Sequence, residues 1–239
     1  MRFGLIRHFA NLMLPEVFYF CYSLHIMEQS ISKDIIFNWL NAWSISRGLT
    51  LPTSFNSGFK VEVGYPNQKV RYVFPLLNED FFRLANEIDE PYIYLKFCGP
   101  PKSIIDKIPS RWKIQPQGFM MVCFDKMKEI KTELSQDYNL KIDFSKAGYL
   151  AKIQTINGEV ASEARLILVN DLAIYDRVIT NDNHKRKGLA SILIKELEKI
   201  AISEGVCKNF LVATEQGKFL YEKLGWKLYS LYTSVVIIP

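Results

Sequence analysis

The chain has 239 residues, of which 49% are hydrophobic, 13% aromatic and 23% charged, and its formal net charge is +5. The length allows one large or two small domains, and the composition excludes a globally disordered protein. The mild positive charge suits an anionic ligand. Without a long basic stripe, it gives no support to a nucleic-acid-binding protein.

The cysteines and histidines give no sign of a cross-linked or metal-binding protein. The four cysteines are scattered and form no C-x-x-C pair, and the three histidines share no metal-ligand spacing. We therefore predict no disulfide framework, no metal site and a cytoplasmic location with reduced thiols.

Residues 1–26 are rich in Leu, Phe and Tyr, which invites comparison with a signal peptide or a membrane anchor. Pro15 and Glu16 interrupt the apolar run, so each uninterrupted piece is too short to span a bilayer, and no A-x-A cleavage site follows. We predict a peripheral extension and no membrane partner.

Residues 27–125 are predicted to form a small α/β region of unknown role, without a chemical motif. Ser30 to Gly48 has apolar residues at helical spacing, with Ser32 in the N-cap position. Alternation and turn residues predict four strands and two short helices after it. The strands are at 59–63, 69–74, 92–97 and 119–124, and the helices at 78–88 and 102–108. The charged segment 125–135 is helical by propensity.

Residues 126–239 have a clearer pattern, and we predict a second domain there. Strands at 149–156, 159–169 and 172–180 form a meander, because Asn157-Gly158 and Asn170-Asp171 are tight-turn sequences. A helix from Leu189 to about Glu204 leads to an apolar strand at 210–213, which predicts a right-handed crossover and a local parallel pair. Thr214 can cap a second helix that ends at Gly225, and residues 226–238 supply a final strand or hairpin. The fold class predicted is α/β of the α+β type, with a mixed, mostly antiparallel sheet and flanking helices.

Three cations, Lys185, Arg186 and Lys187, stand where the helix from Leu189 begins. The positive end of the helix macrodipole repels each of them by roughly 0.3–1 kcal/mol. An anion bound at this end would explain the arrangement, and Gly188, which lacks a Cβ, would let it approach the backbone.

Two segments resemble motifs of the GNAT (Gcn5-related N-acetyltransferase) superfamily. Residues 185–190, Lys-Arg-Lys-Gly-Leu-Ala, are similar to the pattern Gln/Arg-x-x-Gly-x-Gly/Ala, with Gly188 and Ala190 matching and Lys185 departing. Residues 220–226, Leu-Tyr-Glu-Lys-Leu-Gly-Trp, look like the second motif, which usually ends in Gly-Phe. The resemblance covers roughly residues 138–239 and implies a GNAT-like sheet there.

The resemblance implies an N-acetyltransferase that moves an acetyl group from acetyl-CoA to an amine by direct attack in a ternary complex. It places the pyrophosphate on the backbone N–H groups of residues 186–191 and the pantetheine arm along the strand near residues 178 and 179. Glu215 stands where the family commonly has Asn. The implied cofactor-binding residues are Val178, Ile179, Lys185, Arg186, Lys187, Gly188, Leu189, Ala190, Ser191 and Glu215.

Tyr221 occupies the position of the family's usual general acid. A phenol with an ordinary pKa near 10 can protonate a departing thiolate whose pKa is about 8.5–9. Asp176, on the strand before the loop, is the candidate general base, acting directly or through a water molecule. The alternative for Asp176 is a carboxylate in a salt bridge or facing a turn. The alternative for Tyr221 is a core aromatic, and for the three cations a solvated basic loop.

The sequence does not identify the acceptor amine. We expect four aromatic residues of the first half to shape or cover its pocket: Trp39, Trp43, Trp112 and Phe119. A rival interpretation is a non-catalytic acyl-CoA-binding module whose N-terminal half binds a protein. A nucleotide-binding protein is disfavoured, because neither G-x-x-x-x-G-K-[ST] nor G-x-G-x-x-G occurs. We predict no nucleic-acid partner and leave a homodimer open.

Overall fold

The computed structural model describes residues 31–129 and 131–239, so the extension predicted over residues 1–26 lies outside the described residues. The strands described are β1 (Thr53–Phe55), β2 (Gly58–Tyr65), β3 (Gln68–Phe74), β4 (Ile93–Cys98), β5 (Trp112–Ile114), β6 (Gly118–Cys123), β7 (Tyr138–Ser145), β8 (Gly148–Thr155), β9 (Val160–Val169), β10 (Leu172–Thr180), β11 (Lys208–Ala213) and β12 (Lys227–Ile237). The α-helices are α1 (Lys33–Ile45), α2 (Glu79–Glu87), α3 (Leu189–Ser203) and α4 (Glu215–Lys223). None of these helices is long and apolar enough to cross a membrane.

All of these strands belong to one sheet. Its order is β1-β2-β3-β4-β12-β6-β11-β10-β9-β8-β7, and β5 pairs with β12 off this path. Among the described pairs, only β3–β4 and β10–β11 are parallel, and a crossover helix, α2 or α3, joins each of them. The predicted mixed, mostly antiparallel α/β fold is therefore confirmed.

The sheet contains one pattern of strands and helix twice. The runs β1-β2-β3-β4 and β8-β9-β10-β11 each consist of an antiparallel meander, a crossover helix and a parallel strand. The strand next to β4 is β12, and the strand next to β11 is β6, so each half of the chain places one strand beside the parallel pair of the other half. The regions predicted at 27–125 and 126–239 thus contribute interleaved strands to the same sheet.

The two faces of the sheet carry different helices. On one face α1 packs its Trp39 and Leu40 against apolar residues from both halves, including Val73 and Phe210. On the other face α3 and α4 cover the C-terminal strands, and α2 covers β4 and β12. The side chains of β10 alternate between the face of α1 and the face of α3.

The predicted helix boundaries hold where local capping chemistry is present. The side chain of Ser32 accepts a hydrogen bond from the Ile35 backbone N–H (3.3 Å), which confirms it as the N-cap of α1. The side chain of Thr214 accepts one from the Gly217 backbone N–H (3.1 Å), which confirms it as the N-cap of α4. The parallel pairing of β10 with β11 is confirmed as well.

Two predicted helices are wrong. The helix expected over 102–108 is only a single 3₁₀ turn, Pro101–Ser103. The helix expected over 125–135 is absent from residues 125–129 and 131–135, which have no regular structure. Tertiary contacts outweigh propensity here: the Met127 backbone N–H donates to Glu198 of α3 (2.6 Å), and the Lys128 backbone N–H donates to the Leu224 carbonyl (2.9 Å).

Candidate functional site

The parallel strands β10 and β11 separate after three residue pairs. Their pairing ends at Ile174 opposite Phe210, although β10 continues to Thr180 and β11 to Ala213. Beyond that point β10 still pairs with β9, and β11 still pairs with β6. The two strands therefore border a slot, and the backbone groups of β10 that face it are free to pair with an extended ligand.

A β-bulge lies in β10 beside this slot. The register with β9 shifts between Asp176 and Ile179, and Arg177 adopts a positive φ of 52°. Val178 is partly buried against the core on the α3 face, and the side chain of Ile179 is exposed. Bulges of this kind redirect side chains and are common next to active sites.

The loop after β10 leads into the N-terminus of α3, where backbone donors are left without acceptors. Gly188 is the N-cap, with φ 77° and no side-chain cap, and the first helical bond is from the Ile192 N–H to the Gly188 carbonyl (3.1 Å). Within the described part of the chain, the backbone N–H groups of residues 186–191 donate to no acceptor. They form a set of donors suited to a phosphate-like anion.

The three cations of the loop have different surroundings. Lys185 is ion-paired with Asp182 (2.5 Å), and the ammonium of Lys187 donates to the hydroxyl of Tyr138 (2.9 Å). That hydroxyl also shares a hydrogen bond with Nδ1 of the buried His184 (2.9 Å). Arg186 is exposed and makes no ion pair with any described residue, so it is the cation best placed to add charge to an anion at the helix start.

The structure gives a second reason for glycine at position 188, beside the close approach of an anion predicted from the sequence. A Cβ at this position would lie 2.6 Å from Cγ2 of Thr132, which belongs to the non-helical segment after β6. The missing side chain therefore makes room for Thr132, and the positive φ independently favours glycine. The small neighbours Ala190 and Ser191 remain partly accessible, whereas Leu189 is buried in the core.

Tyr221, on α4, lies on the α3 face of the sheet beside the slot. Its ring packs against Trp226 with centroids 5.7 Å apart, and its hydroxyl makes no hydrogen bond to any described residue. Burial raises the pKa of this phenol well above its usual value, and the nearby charge of Asp176 raises the pKa further. Tyr221 therefore keeps its proton at neutral pH. Glu215 is exposed in the first turn of the same helix, where a carboxylate is favourable.

Comparison with known proteins identifies this arrangement. Residues 119–226 match the model of the Acetyltransferase (GNAT) family. The C-terminal part of the chain is a GNAT domain. The match begins at β6 and ends at Trp226, and it includes the slot, the donor loop and Tyr221. A search of curated proteins finds no match.

Solved structures show that the GNAT-like fold extends beyond the matched residues. A GCN5-related N-acetyltransferase from Kribbella flavida superposes with a TM-score of 0.62 at 11% identity, over 88% of this chain and 97% of that one. A GCN5-related N-acetyltransferase-like protein from Streptococcus suis gives 0.51 at 14% identity, over 85% and 97%. A tandem GNAT protein from the clavulanic acid biosynthesis pathway gives 0.52 at 12% identity, over 77% and 80%. At these identities the likeness concerns the fold alone, and its extent agrees with the repeated sheet pattern.

Asp176 points from the GNAT domain toward the α1 face, where it is tightly held. Arg47, just after α1, donates to both carboxylate oxygens (Nη1 to Oδ2, 2.5 Å; Nη2 to Oδ1, 3.2 Å), and the hydroxyl of Ser46 donates to Oδ2. These bonds occupy lone pairs that a general base would use. The predicted role of Asp176 as base therefore stays a prediction, and its observed contacts are those of an ion pair.

Further cations lie on the α1 face, and sequence reasoning missed them. We call Arg47, Arg71, Lys96 and Arg165 the basic cluster. Arg71 and Lys96 are 8% and 7% exposed, and the guanidinium groups of Arg47 and Arg71 lie over the ring of Trp43, 4.4 and 3.7 Å from its centroid. The available signal was a lysine inside the apolar strand Ile-Tyr-Leu-Lys-Phe-Cys, which gives no hint of its partners.

The described residues contain no group of three or more His, Cys, Asp or Glu side chains arranged to hold a metal ion.

Proposed function

We propose that this protein is an acetyl-CoA-dependent N-acetyltransferase that transfers the acetyl group directly to an amine acceptor in a ternary complex. The observation that carries the proposal is the slot between β10 and β11, which has the donor loop at the start of α3 and Tyr221 beside it. Each of these three features suits one part of acetyl-CoA or of the transfer reaction. We also infer a cytoplasmic location, from the scattered cysteines.

The residues fit acetyl-CoA in two ways. The unpaired N–H groups of residues 186–191, together with the charge of Arg186, suit a pyrophosphate at the helix N-terminus. The free edge of β10 near Val178 and Ile179 suits the amides of the pantetheine arm, because strand edges pair readily with extended chains. Lys185 and Lys187, which bond to Asp182 and Tyr138, would help to shape the loop.

Tyr221 would act as the general acid. A C–N bond forms between the acceptor nitrogen and the acetyl carbon, the C–S bond breaks, and the departing thiolate takes the proton that Tyr221 donates. The proton lost by the amine goes to water or to a base. Its raised pKa keeps Tyr221 protonated at neutral pH, and its hydroxyl is free of other described partners.

The first experiment is calorimetric titration with acetyl-CoA, followed by measurement of thiol release with a panel of amines. We expect binding, and acceptor-dependent release of CoA. A folded sample that does not bind acetyl-CoA would overturn the proposal. Binding without thiol release for any amine would instead favour the non-catalytic acyl-CoA-binding module.

The second experiment compares two tyrosines that both pack on Trp226. Tyr221→Phe should lower kcat by about 10²- to 10⁴-fold, the range typical of general acid catalysis. Tyr175→Phe is the control: Tyr175 is buried on the same face, and its hydroxyl already donates to Oδ1 of Asn209 (3.0 Å), so it is not free to donate to a thiolate. Unchanged turnover of Tyr221→Phe at every pH would refute the assignment of the acid.

A further inference from the structure

Two lysines are buried, and among the described residues only one of them has a counter-ion. Lys195 on α3 is 6% exposed and is ion-paired with the equally buried Glu198 (2.6 Å). Lys96 on β4 is 7% exposed, and its ammonium contacts only neutral groups: the hydroxyl of Ser234 (2.7 Å) and the rings of Tyr94 and Tyr232. Burying an unpaired charge is costly, so an anion is the expected missing partner.

Arg71 is a second buried cation beside Lys96. Its guanidinium stacks on Trp43, and the amide oxygen of Gln68 accepts from its Nε and Nη2 (3.1 and 3.2 Å). These partners are neutral and do not compensate its charge. Burial lowers the pKa of Arg71 to about 10, and the charge of Arg71 contributes to lowering the pKa of Lys96.

An unpartnered donor lies next to these cations. The hydroxyl of Tyr232 is buried and makes no hydrogen bond to any described residue. Burial raises its pKa, so this phenol keeps a proton that it can donate. Buried hydroxyls without a partner are rare in proteins. Lys96, Arg71 and Tyr232 therefore supply two positive charges and one free O–H donor within a single small region.

The local charges do not balance. The basic cluster has four cations, and Asp176 is the one carboxylate in an ion pair with any of them among the described residues. Arg47 takes both oxygens of that carboxylate. The positive charge of Arg71 and Lys96 is thus left for a ligand, and the partly exposed side chains of Arg47 and Asp176, each 15% accessible, open the cluster to solvent.

The basic cluster lies on the opposite face of the sheet from the donor loop, so its ligand is expected to belong to the acceptor and not to acetyl-CoA. The donor loop at the start of α3 and Tyr221 belong to the face that α3 covers. The basic cluster lies on the opposite face, under α1, and Asp176 connects the two, since its charge acts on both Tyr221 and Arg71. An amine that approaches the slot from the α1 face would pass Lys96 and Arg71.

We infer that the acceptor amine carries a carboxylate, and that this carboxylate binds to Lys96, Arg71 and the hydroxyl of Tyr232. The acceptor class is then that of amino acids and related amino carboxylates. This inference rests on the proposed acetyltransferase function and specifies its second substrate. Charge-assisted hydrogen bonds to a carboxylate would turn an unfavourable cluster into a specific binding site.

The test compares each of the common amino acids with its carboxamide, as acceptors for acetyl-CoA, by thiol release. The acids should be preferred in kcat/KM by about 100-fold or more, because a site built for hydrogen-bonded groups rejects analogues that lack them. Lys96→Met and Arg71→Met should each raise the KM for the preferred acid by about 30-fold or more and leave the Kd for acetyl-CoA unchanged. Lys113→Met, an exposed lysine on β5, is the control for the same loss of charge.

A second measurement does not depend on turnover. N-acetyl amino acids and their amides, as product analogues, are titrated calorimetrically into the protein saturated with CoA. Binding of the acids alone, lost in Lys96→Met, supports the inference. Equal binding of acids and amides, or binding of neither, overturns it. A preference for succinyl-CoA over acetyl-CoA that is lost in Lys96→Met would place the carboxylate on the donor and also overturn it. Failure of acetyl-CoA to bind would be a separate result, which contradicts the proposed function itself.

Discussion

Arg47 and Asp176 form a two-point ion pair between positions 129 residues apart in the chain, with Nη1 and Oδ2 separated by 2.5 Å. Arg47 follows α1, in the first half, and Asp176 lies in β10, at the bulge beside the slot. The pair therefore fixes the end of α1 over the edge of the slot. It also explains why the first half of the chain cannot be regarded as a separate appendage of the GNAT domain.

Replacing Arg47 should destabilise the protein more than removing an exposed ion pair. Arg47→Met leaves a largely buried carboxylate without its partner, and we expect a loss of about 2 kcal/mol in the free energy of unfolding. Arg83→Met is the control, because Arg83 is 46% exposed and pairs with Asp80 and Glu87. Its loss should stay below about 1 kcal/mol. Urea denaturation measures both, and equal losses would contradict the structural role given to Arg47.

The two buried lysines should respond to the same substitution in opposite directions. Lys96→Met removes a buried charge that no described carboxylate compensates, so we expect an increase of about 1–3 kcal/mol in stability. Lys195→Met leaves Glu198 buried without its cation, so we expect a loss of about 3 kcal/mol. If Lys96→Met is more stable than the natural protein but binds the acceptor more weakly, then Lys96 lowers the stability of the fold and contributes to acceptor binding.

The effect of Lys96→Met should depend on pH. Burial lowers the pKa of Lys96 in the folded protein, and the positive charge of Arg71 lowers it further. The side chains of Tyr94, Tyr232 and Ser234 also face the ammonium of Lys96. Between that lowered pKa and the ordinary value near 10.4, the unfolded chain binds more protons, so the stability of the natural protein rises with pH. The advantage of Lys96→Met is therefore full below the lowered pKa and shrinks toward pH 10. An advantage that grew with pH would contradict this assignment.

The contrast between these lysines also shows what the sequence can and cannot predict. Gly188, Ala190 and Tyr221 lie in short motifs whose chemistry depends on local spacing, so the sequence indicated the donor loop and the tyrosine that we propose as the acid. The surroundings of Lys96 and Arg71 arise only in the folded chain, where β12 contacts Lys96 and Trp43 of α1 contacts Arg71. Distant contacts also explain why the helix predicted over 125–135 does not form. The backbone N–H of Met127 donates to Glu198 of α3, and that of Lys128 donates to the carbonyl of Leu224, just after α4. The repeated sheet pattern is likewise a property of topology, with no visible sequence repeat.

Gly188 should tolerate alanine less well than a matched glycine in open surroundings. Gly188 and Gly205 have nearly the same φ, 77° and 78°, but only Gly188 faces a neighbour, Thr132, at 2.6 Å from an added Cβ. Both substitutions carry a cost of about 1–2 kcal/mol for the left-handed backbone. Gly188→Ala should cost about 1–3 kcal/mol more, as overpacking does, and should weaken acetyl-CoA binding.

A double variant separates these two contributions at Gly188. Thr132→Ser removes the methyl group nearest to the added Cβ, so Gly188→Ala combined with Thr132→Ser should recover part of the lost stability. Gly205→Ala should leave the Kd for acetyl-CoA unchanged, because Gly205 lies at the far end of α3. If Gly188→Ala and Gly205→Ala were equally destabilising, the contact with Thr132 would have no energetic importance.

The protein should bind one acetyl-CoA per chain, although its sheet contains two parallel pairs. The pair β3–β4 stays in register over five residue pairs, from Val70–Ile93 to Phe74–Phe97, so no slot opens there. The helix after β3 also has its own cap, because the side chain of Asn78 accepts from the Phe81 backbone N–H (3.4 Å), whereas the helix after β10 has none. Calorimetric titration should therefore give a stoichiometry of one. Asn78→Ala should lower stability by about 1 kcal/mol without changing the Kd for acetyl-CoA. A stoichiometry of two, or an effect of Asn78→Ala on that Kd, would show that the first half retains a cofactor site of its own.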